Sequence, residues 1–572
     1  MSPLEQVKGD LVSAIAAVFP GSPVSADDIT PTPSPALGDL AIPVFKFAKL
    51  AGKNPGTIAE DLRERIAVPA SIASFEVAGP YLNVRLNRLA LTKATLGAVS
   101  RARSAYGNGR KTRKRVMVEY VSPNMNKPLH LGHLRTAWLG ESVARLLTAR
   151  GETVIRAQLQ NDRGVGISKA MVAYERWGKR ETPASAGVKG DHLVGKYYVL
   201  FEEKRRHDPS LEGAAQESVR KWEENDRATR ALWRTMMRWC ASGHAATYKT
   251  IGIRFDKSYL ESALYKLGKR MVEQGLAKGI FVRDEKGNVI AKLPGMPEKV
   301  VLRADGTAVY ITTDLALTVE KMEKARLSRS LWVVGNEQNL NFRQLFAILR
   351  IMGYRWVDSL EHVSYGLVFL PSGRMKSREG TVVDADELLA SLAELAAEAV
   401  RERHDFLDRR EVEKRALEIA MGAVRFYLLE ASAATDIVFD PKESLAFTGK
   451  TGPYLQYTNA RILSVLRKAA NRQSHAGRID ASRLTEEAEW RLILALAAFP
   501  ETVAAAASDR EPSTLAKYCY ALAKSFSEFY ESVPVLQSED AVRRARLGLL
   551  RAVQIVLARG LDLLGIPAPK EM

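Results

Sequence analysis

At 572 residues, with 46% hydrophobic and 26% charged side chains, the chain is long enough for several domains with their own cores and has the composition of an ordinary globular protein. Its net charge of +18, from 84 basic and 66 acidic residues, points to a polyanionic partner, nucleic acid first, with a merely solvated basic surface as the plainer alternative. Two cysteines, Cys240 and Cys519, and 8 histidines exclude a disulfide framework and a zinc cluster of regular ligand spacing; with no bilayer-spanning apolar run and with Glu5 and Asp10 near the start, we expect no structural zinc, no membrane, no leader segment and a reducing, cytoplasmic compartment.

Residues 1–105 read as a small α+β unit. Leu4, Val7, Leu11 and Ile15 recur at helical spacing. Thr30-Pro31-Thr32-Pro33-Ser34-Pro35 marks a loop. Asn54-Pro55 opens a second helix continued by Leu62 and Ile66, and Phe75–Val77 and Tyr81–Leu86 alternate like half-buried strands. A basic segment, Arg110–Arg115, joins this unit to the next; it suits either a phosphate backbone or plain solvent.

Across residues 106–440 strands alternate with helices. Val116–Val121, Thr153–Ala157, Leu331–Gly335 and Leu367–Leu370 are the apolar strands. This alternation predicts a parallel sheet covered by helices, with ligands at the carboxyl ends of its strands. A charged helical stretch over about 180–275 reads as an insertion above that face. Residues 441–572 read as helical throughout. Leu550, Val553, Leu557, Leu561 and Leu564 form a core stripe, and Arg543, Arg544, Arg546, Arg551 and Arg559 lie nearby, suited to RNA or to solvent.

The chemistry concentrates after the first of these strands, in His130-Leu131-Gly132-His133. A strand, a turn and a helix start that carries two imidazoles three residues apart suit a nucleotide. Unpaired N–H groups and the positive end of the helix dipole attract phosphate, and both rings face one ligand. Gly132 keeps side-chain bulk away from a flat base. The tetrapeptide alone is weak, since paired histidines are often structural. A second basic, glycine-flanked loop, Gly373-Arg374-Met375-Lys376-Ser377-Arg378-Glu379-Gly380, carries groups able to close on a triphosphate.

Together these motifs resemble the class I aminoacyl-tRNA synthetases, and among them the arginyl-tRNA synthetases. The likeness covers Val118–Asn124 leading through Lys127-Pro128 to His133, Val309–Asp314, Val333–Gln338, Gly452–Ile462 and Gly560–Ile566, with Gly38-Asp39 and Ala78-Gly79-Pro80 near the start. It implies a Rossmann-type catalytic domain between an α+β N-terminal tRNA-contacting domain and an all-helical anticodon-binding domain. It also implies a monomer whose partners are L-arginine, ATP and tRNA(Arg), with Mg2+ accompanying the ATP.

The resemblance assigns the arginine pocket to Glu119, Asn124, His130, Tyr310, Asp314 and Gln338. It assigns the ATP site to His130, Gly132, His133, Met375 and Lys376. An arginine substrate presents a planar cation with five N–H donors, so carboxylates and a flat face are the right chemistry. Glu119 lies in an otherwise apolar strand, and a buried structural ion pair is its plainer reading; for Tyr310 the plainer reading is core packing. Tyr310 and Asp314 share one face if a helix begins there.

The usual second motif, Lys-Met-Ser-Lys-Ser, is here Arg374-Met375-Lys376-Ser377-Arg378, so Ser377 replaces its second lysine. The resemblance implies that Lys127, just before the first motif, takes over; Lys376 is the other candidate. Asn161-Asp162-Arg163-Gly164 departs from the family's usual turn and receives no catalytic role. The implied reaction is attack of the arginine carboxylate on the α-phosphate of ATP, then transfer to a ribose hydroxyl of tRNA. It needs no protein nucleophile, only positioning and charge stabilisation. The family also implies that tRNA must be present for activation.

Overall fold

The structure, a computed structural model, describes residues 2–48, 52–371, 383–403, 407–470 and 479–572. At the N-terminus, helix α1 (Pro3–Val18) starts with a capping box between Ser2 and Glu5. Helices α2 (Pro55–Arg65) and α3 (Arg88–Ala102) follow the same apolar logic. They accompany an antiparallel sheet of β1 (Thr30–Pro31), β2 (Leu40–Pro43), β3 (Ile72–Ala78) and β4 (Tyr81–Leu86), in the order β1-β2-β4-β3. Part of the expected Thr30–Pro35 loop is thus a short edge strand, a place where proline costs no ladder bond.

The centre is a five-stranded sheet of β5 (Arg115–Glu119), β6 (Thr153–Gln160), β7 (Lys257–Leu260), β11 (Arg329–Gly335) and β12 (Leu360–Tyr365). All neighbours are parallel, in the order β12-β11-β5-β6-β7. Val116, Met117 and Val118 are buried on both faces, as a covered parallel sheet requires. The chain winds from β5 to β7 on one side and returns to β11 and β12 on the other. The topological switch point therefore lies between β5 and β11, at the end of the strand that leads to His130.

Helix α4 (Leu131–Ala149) packs between this sheet and the C-terminal helices and is buried nearly all round. Several of its polar side chains are accordingly partnered. Glu141 accepts from Tyr120 Oη at 2.8 Å and pairs with Arg145 and Arg156, and Arg135 donates to the carbonyls of Ala433 and Thr435. Gly140 lets the helix approach the sheet: a Cβ there would lie 2.3 Å from the Tyr120 ring.

After β6 come α5 (Val165–Trp177), α6 (Gly190–His207), α7 (Leu211–Glu223) and α8 (Arg227–Thr250), then α9 (Glu261–Ala277) after β7. The expected 180–275 insertion is corrected here, because β7 lies inside it and is a member of the main sheet. A four-residue edge strand amid charged helices leaves little periodic signal. The antiparallel β8 (Val282–Arg283), β9 (Val289–Ala291) and β10 (Lys299–Leu302) precede α10 (Tyr310–Lys324), and α11 (Asn339–Ile351) links β11 to β12. Of the expected Leu367–Leu370 strand, only β13 (Val368–Phe369) forms, pairing with β14 (Ile437–Val438) outside the main sheet.

Helices α12 (Ala385–Arg403) and α13 (Arg409–Glu430) lead to the helical end of the chain, α14 (Gly452–Ala470), α15 (Glu487–Asp509), α16 (Pro512–Ser532) and α17 (Asp540–Leu564). The Leu550–Leu564 stripe on α17 is buried. Of its arginines, Arg546 proves to be neither solvated nor open to RNA, since it is buried in an ion pair with Glu489 at 2.6 Å. Among the described residues one helix, α15, is long and apolar enough to cross a membrane, which the sequence reading did not expect. Its apolar side chains are instead core: Leu492, Leu496 and Phe499 are fully buried. The N-terminal unit docks here, with Trp490 donating to Asp39 at 2.9 Å and Tyr106 to the Leu496 carbonyl at 3.0 Å.

Candidate active site

The segment after β5 is held in an unusual shape. Val121 and Ser122 have φ of 68° and 43°, a left-handed conformation that costs a β-branched residue about 1–3 kcal/mol. Neighbouring groups hold it there. Ser122 Oγ accepts from the Leu159 N–H at 3.1 Å, and the Asn161 side chain donates to the Ser122 carbonyl at 3.0 Å. The Asn161 N–H donates to the Pro123 carbonyl, and the Asn161 carbonyl accepts from the Met125 N–H. Asn161 thus stitches the first motif to the end of β6. Asn124, exposed, bridges to it.

The turn closes onto α4. The Leu131 N–H donates to the Val383 carbonyl and the Ala385 N–H to the Leu129 carbonyl, so chain from beyond the second motif pairs with the helix start. The His130 and His133 rings lie 3.8 Å apart, centroid to centroid, and the His130 N–H donates to His133 Nδ1 at 3.1 Å. That bond leaves the His133 proton on Nε2. Burial, then Lys127, pushes the His130 pKa down to about 3, with Asp384 opposing. Burial, then His130, Lys127 and His244, pushes His133 well below the usual histidine range. Both rings are therefore neutral donors at pH 7. His130 Nδ1 is buried with no hydrogen-bond partner among the described residues. Gly132 matters sterically, since a Cβ would lie 3.1 Å from His130 Cε1.

The second half of the site is acidic. Helix α10 begins at Tyr310, so Tyr310 and Asp314 do share a face one turn apart. Tyr310 is 72% exposed, which removes the core-packing reading. Burial, then the nearby Glu119 carboxylate, raises the Asp314 pKa to about 7 against the pull of Lys321. Glu119 is buried in an ion pair with Lys321, whose ammonium lies 4.9 Å from the centre of the Trp332 ring. The plainer reading of Glu119 is thus realised. Its carboxylate still adds to the negative field at Asp314.

Glu261 is a member of this cluster that the sequence reading missed. It opens α9 at the carboxyl end of β7, is buried, and has one carboxyl oxygen without a partner among the described residues. Burial pushes its pKa up to about 7; Arg163 opposes, while Asp162 and Asp314 add to the rise. A cavity of about 670 Å3 is lined by Tyr310, Glu261, Glu217, Asp305, Arg163 and Arg303. The raised Glu261 carboxyl lines this open space, an arrangement suited to a cationic ligand. The clue in the sequence was the glutamate that directly follows the short Lys257–Leu260 strand.

Asn161–Gly164 acts as an anchor between elements. Asp162 accepts from Ser262 N at 2.8 Å and from its Oγ at 2.6 Å, and Arg163 lies 4.3 Å from the centre of the Tyr265 ring. Gln338 is exposed at the head of α11, just past β11, across the switch point from Asn124. Lys127 is half-buried between Asn126 and Pro128. Met375 and Lys376 lie outside the described residues. Among those described, Asp191, His192 and Asp386 form a group of metal-ligating type. Cations already serve it: Lys189 pairs with Asp191 and Asp386, and Asp191 and Asp384 raise the His192 pKa to about 10.

Comparison with known proteins places these features in one family. Residues 97–441 match the family model described as tRNA synthetases class I (R), catalytic domain. Residues 455–572 match the DALR anticodon binding domain, and residues 5–86 the arginyl tRNA synthetase N terminal domain. The chain is 42% identical over 552 residues to an arginine–tRNA ligase of Treponema pallidum subsp. pallidum, covering 94% of each chain. It is 41% identical over 585 residues to an arginine–tRNA ligase of Treponema denticola, covering 99% of each. Its structure resembles that of Thermus thermophilus arginyl-tRNA synthetase with a TM-score of 0.84 and 29% identity, covering 99% of this chain and 100% of the other. The three family models, in this order along the chain, and these relatives agree, and the chain belongs to the arginyl-tRNA synthetases of class I.

Proposed function

We infer that this chain is an arginine–tRNA ligase: it activates L-arginine with ATP, releasing pyrophosphate, and transfers the arginyl group from the adenylate to the 3' end of tRNA(Arg). The observation that carries this reading is the pairing, at the carboxyl ends of the parallel strands, of two adjacent imidazoles at a helix start with an acidic cluster of Glu119, Asp314 and Glu261. In this reading Tyr310 and Asp314 receive the guanidinium, and Glu119 keeps the field around it negative. Asn124, His130 and Gln338 orient the α-amino and carboxylate ends. His130 and His133 donate to ATP as its α-phosphate is attacked, while Gly132 leaves room for the base. Lys127 meets the charge that develops on the phosphates, with Met375 and Lys376 approaching from the second loop.

Mg2+ accompanies the triphosphate. Asp384, which bridges to His130, is engaged with His192, which fits a metal held mainly by phosphate and water. The exposed stretch Arg110–Arg115 suits a tRNA backbone. We further propose that arginine is activated only with tRNA bound, and that the protein works as a monomer in the cytoplasm; buried free thiols fit a reducing compartment. The deciding experiment is ATP–pyrophosphate exchange with each amino acid, with and without tRNA. Exchange that needs arginine and cognate tRNA together is expected. Absence of an arginine signal with tRNA present would sink the reading.

A further inference from the structure

Lys127 lies in a turn with no sheet ladder of its own, and what holds it comes from far along the chain. His244, on α8, is 1% exposed, and its Nε2 donates to the Lys127 carbonyl at 2.9 Å. A carbonyl only accepts, so the imidazole proton is fixed on Nε2. Its Nδ1 is buried without a partner among the described residues. Burial also lowers the His244 pKa, so the ring is a neutral donor.

The helix that carries it has little freedom to drift. A Cβ at Gly243 would lie 2.0 Å from Asp191 Oδ1, and one at Gly190 would lie 2.1 Å from the Trp239 carbonyl oxygen, so α6 and α8 cross almost backbone to backbone. On α6, a Cβ at Gly195 would lie 2.8 Å from Pro128 Cδ. Lys127-Pro128 is therefore clasped by two helices of the segment inserted between β6 and β7.

We propose that His244 is a positioning residue for arginine activation: it fixes the Lys127 backbone so that the lysine is presented to the phosphates of ATP, and so makes the inserted helices part of the phosphate-binding apparatus. This rests on the reading that Lys127 serves those phosphates.

The test compares full-length His244→Gln, whose amide keeps an N–H at similar reach, with His244→Leu and with His244→Asn, whose amide is one bond short. The readouts are exchange kinetics with arginine and tRNA, and thermal melting. Leu and Asn should each lower kcat on the order of tenfold or more. KM for arginine should stay within about twofold, and Gln should restore most of the rate at an unchanged melting temperature. Should the Leu variant fail to fold, Asn against Gln makes the same comparison. Gln no better than Asn, or all variants matching the parent, would overturn the proposal. In a Lys127→Ala background His244→Asn should add no further loss; a full additional loss also overturns it. Full activity of Lys127→Ala removes the proposal while leaving the ligase reading intact. No arginine-dependent exchange in the parent removes both.

Discussion

Lys321 and Glu119 form an ion pair closed off from solvent beneath the acidic cluster. Lys321 lies seven residues past Asp314 on α10, so one helix face offers Tyr310, Asp314 and Lys321 in succession. The lysine offsets one carboxylate and leaves the others short of positive charge. Replacing it by methionine should strand Glu119 and destabilise the protein by about 3–5 kcal/mol. The double variant Lys321→Met with Glu119→Leu should recover much of that loss, as read by denaturant unfolding. A single variant as stable as the parent would show that the pair is dispensable.

Asp314→Ala removes the half-buried carboxylate expected to meet the guanidinium. The loss in kcat/KM for arginine should be on the order of 2–5 kcal/mol, with KM for ATP nearly unchanged. A near-normal aminoacylation rate would take Asp314 out of the site.

The acid cluster also sets a pH dependence. The Asp314 and Glu261 pKa values rise to about 7 in the folded protein, against about 4 in an unfolded chain. Between those values the folded state binds more protons than the unfolded one. The stabilising contribution is therefore complete below pH of about 4 and is lost as pH rises to about 7. A bound arginine favours the ionised carboxyls, so its stabilising effect should grow over the same window, as should kcat/KM for arginine. Glu261→Gln should flatten both profiles and lower kcat/KM about tenfold. Calorimetric melts with and without arginine from pH 5 to 8 check it, and a ligand effect independent of pH would refute it.

What the sequence made legible was whatever a continuous run of residues carries. The apolar β5, the imidazoles at i and i+3, and Tyr310 one turn from Asp314 all lie within single segments, so strand and helix periods expose them. Arg546, Lys321 and His244 could not be read in this way. Each is a polar residue in an amphipathic helix, and only tertiary contact decides whether it meets solvent or a buried partner. Glu261 was missed for another reason: β7 is only four residues long and mostly exposed, so no apolar run announces it as a sheet strand. Without that strand, the glutamate at its carboxyl end has no reason to attract notice.

Helix α4 supplies a test of how the site is mounted. At an exposed helix position, alanine would gain up to about 1 kcal/mol over glycine. At Gly140 its Cβ would meet the Tyr120 ring at 2.3 Å, and the same ring packs on Phe255 while its hydroxyl donates to Glu141. Gly140→Ala should therefore destabilise the protein by about 1–3 kcal/mol through overpacking. Any relief must come from moving α4 away from β5, and that motion carries His130 and His133 away from Glu119 and Asn124. KM for ATP and KM for arginine should then rise together. An alanine variant that is more stable and fully active would show that the helix and sheet are not packed as tightly as these distances require.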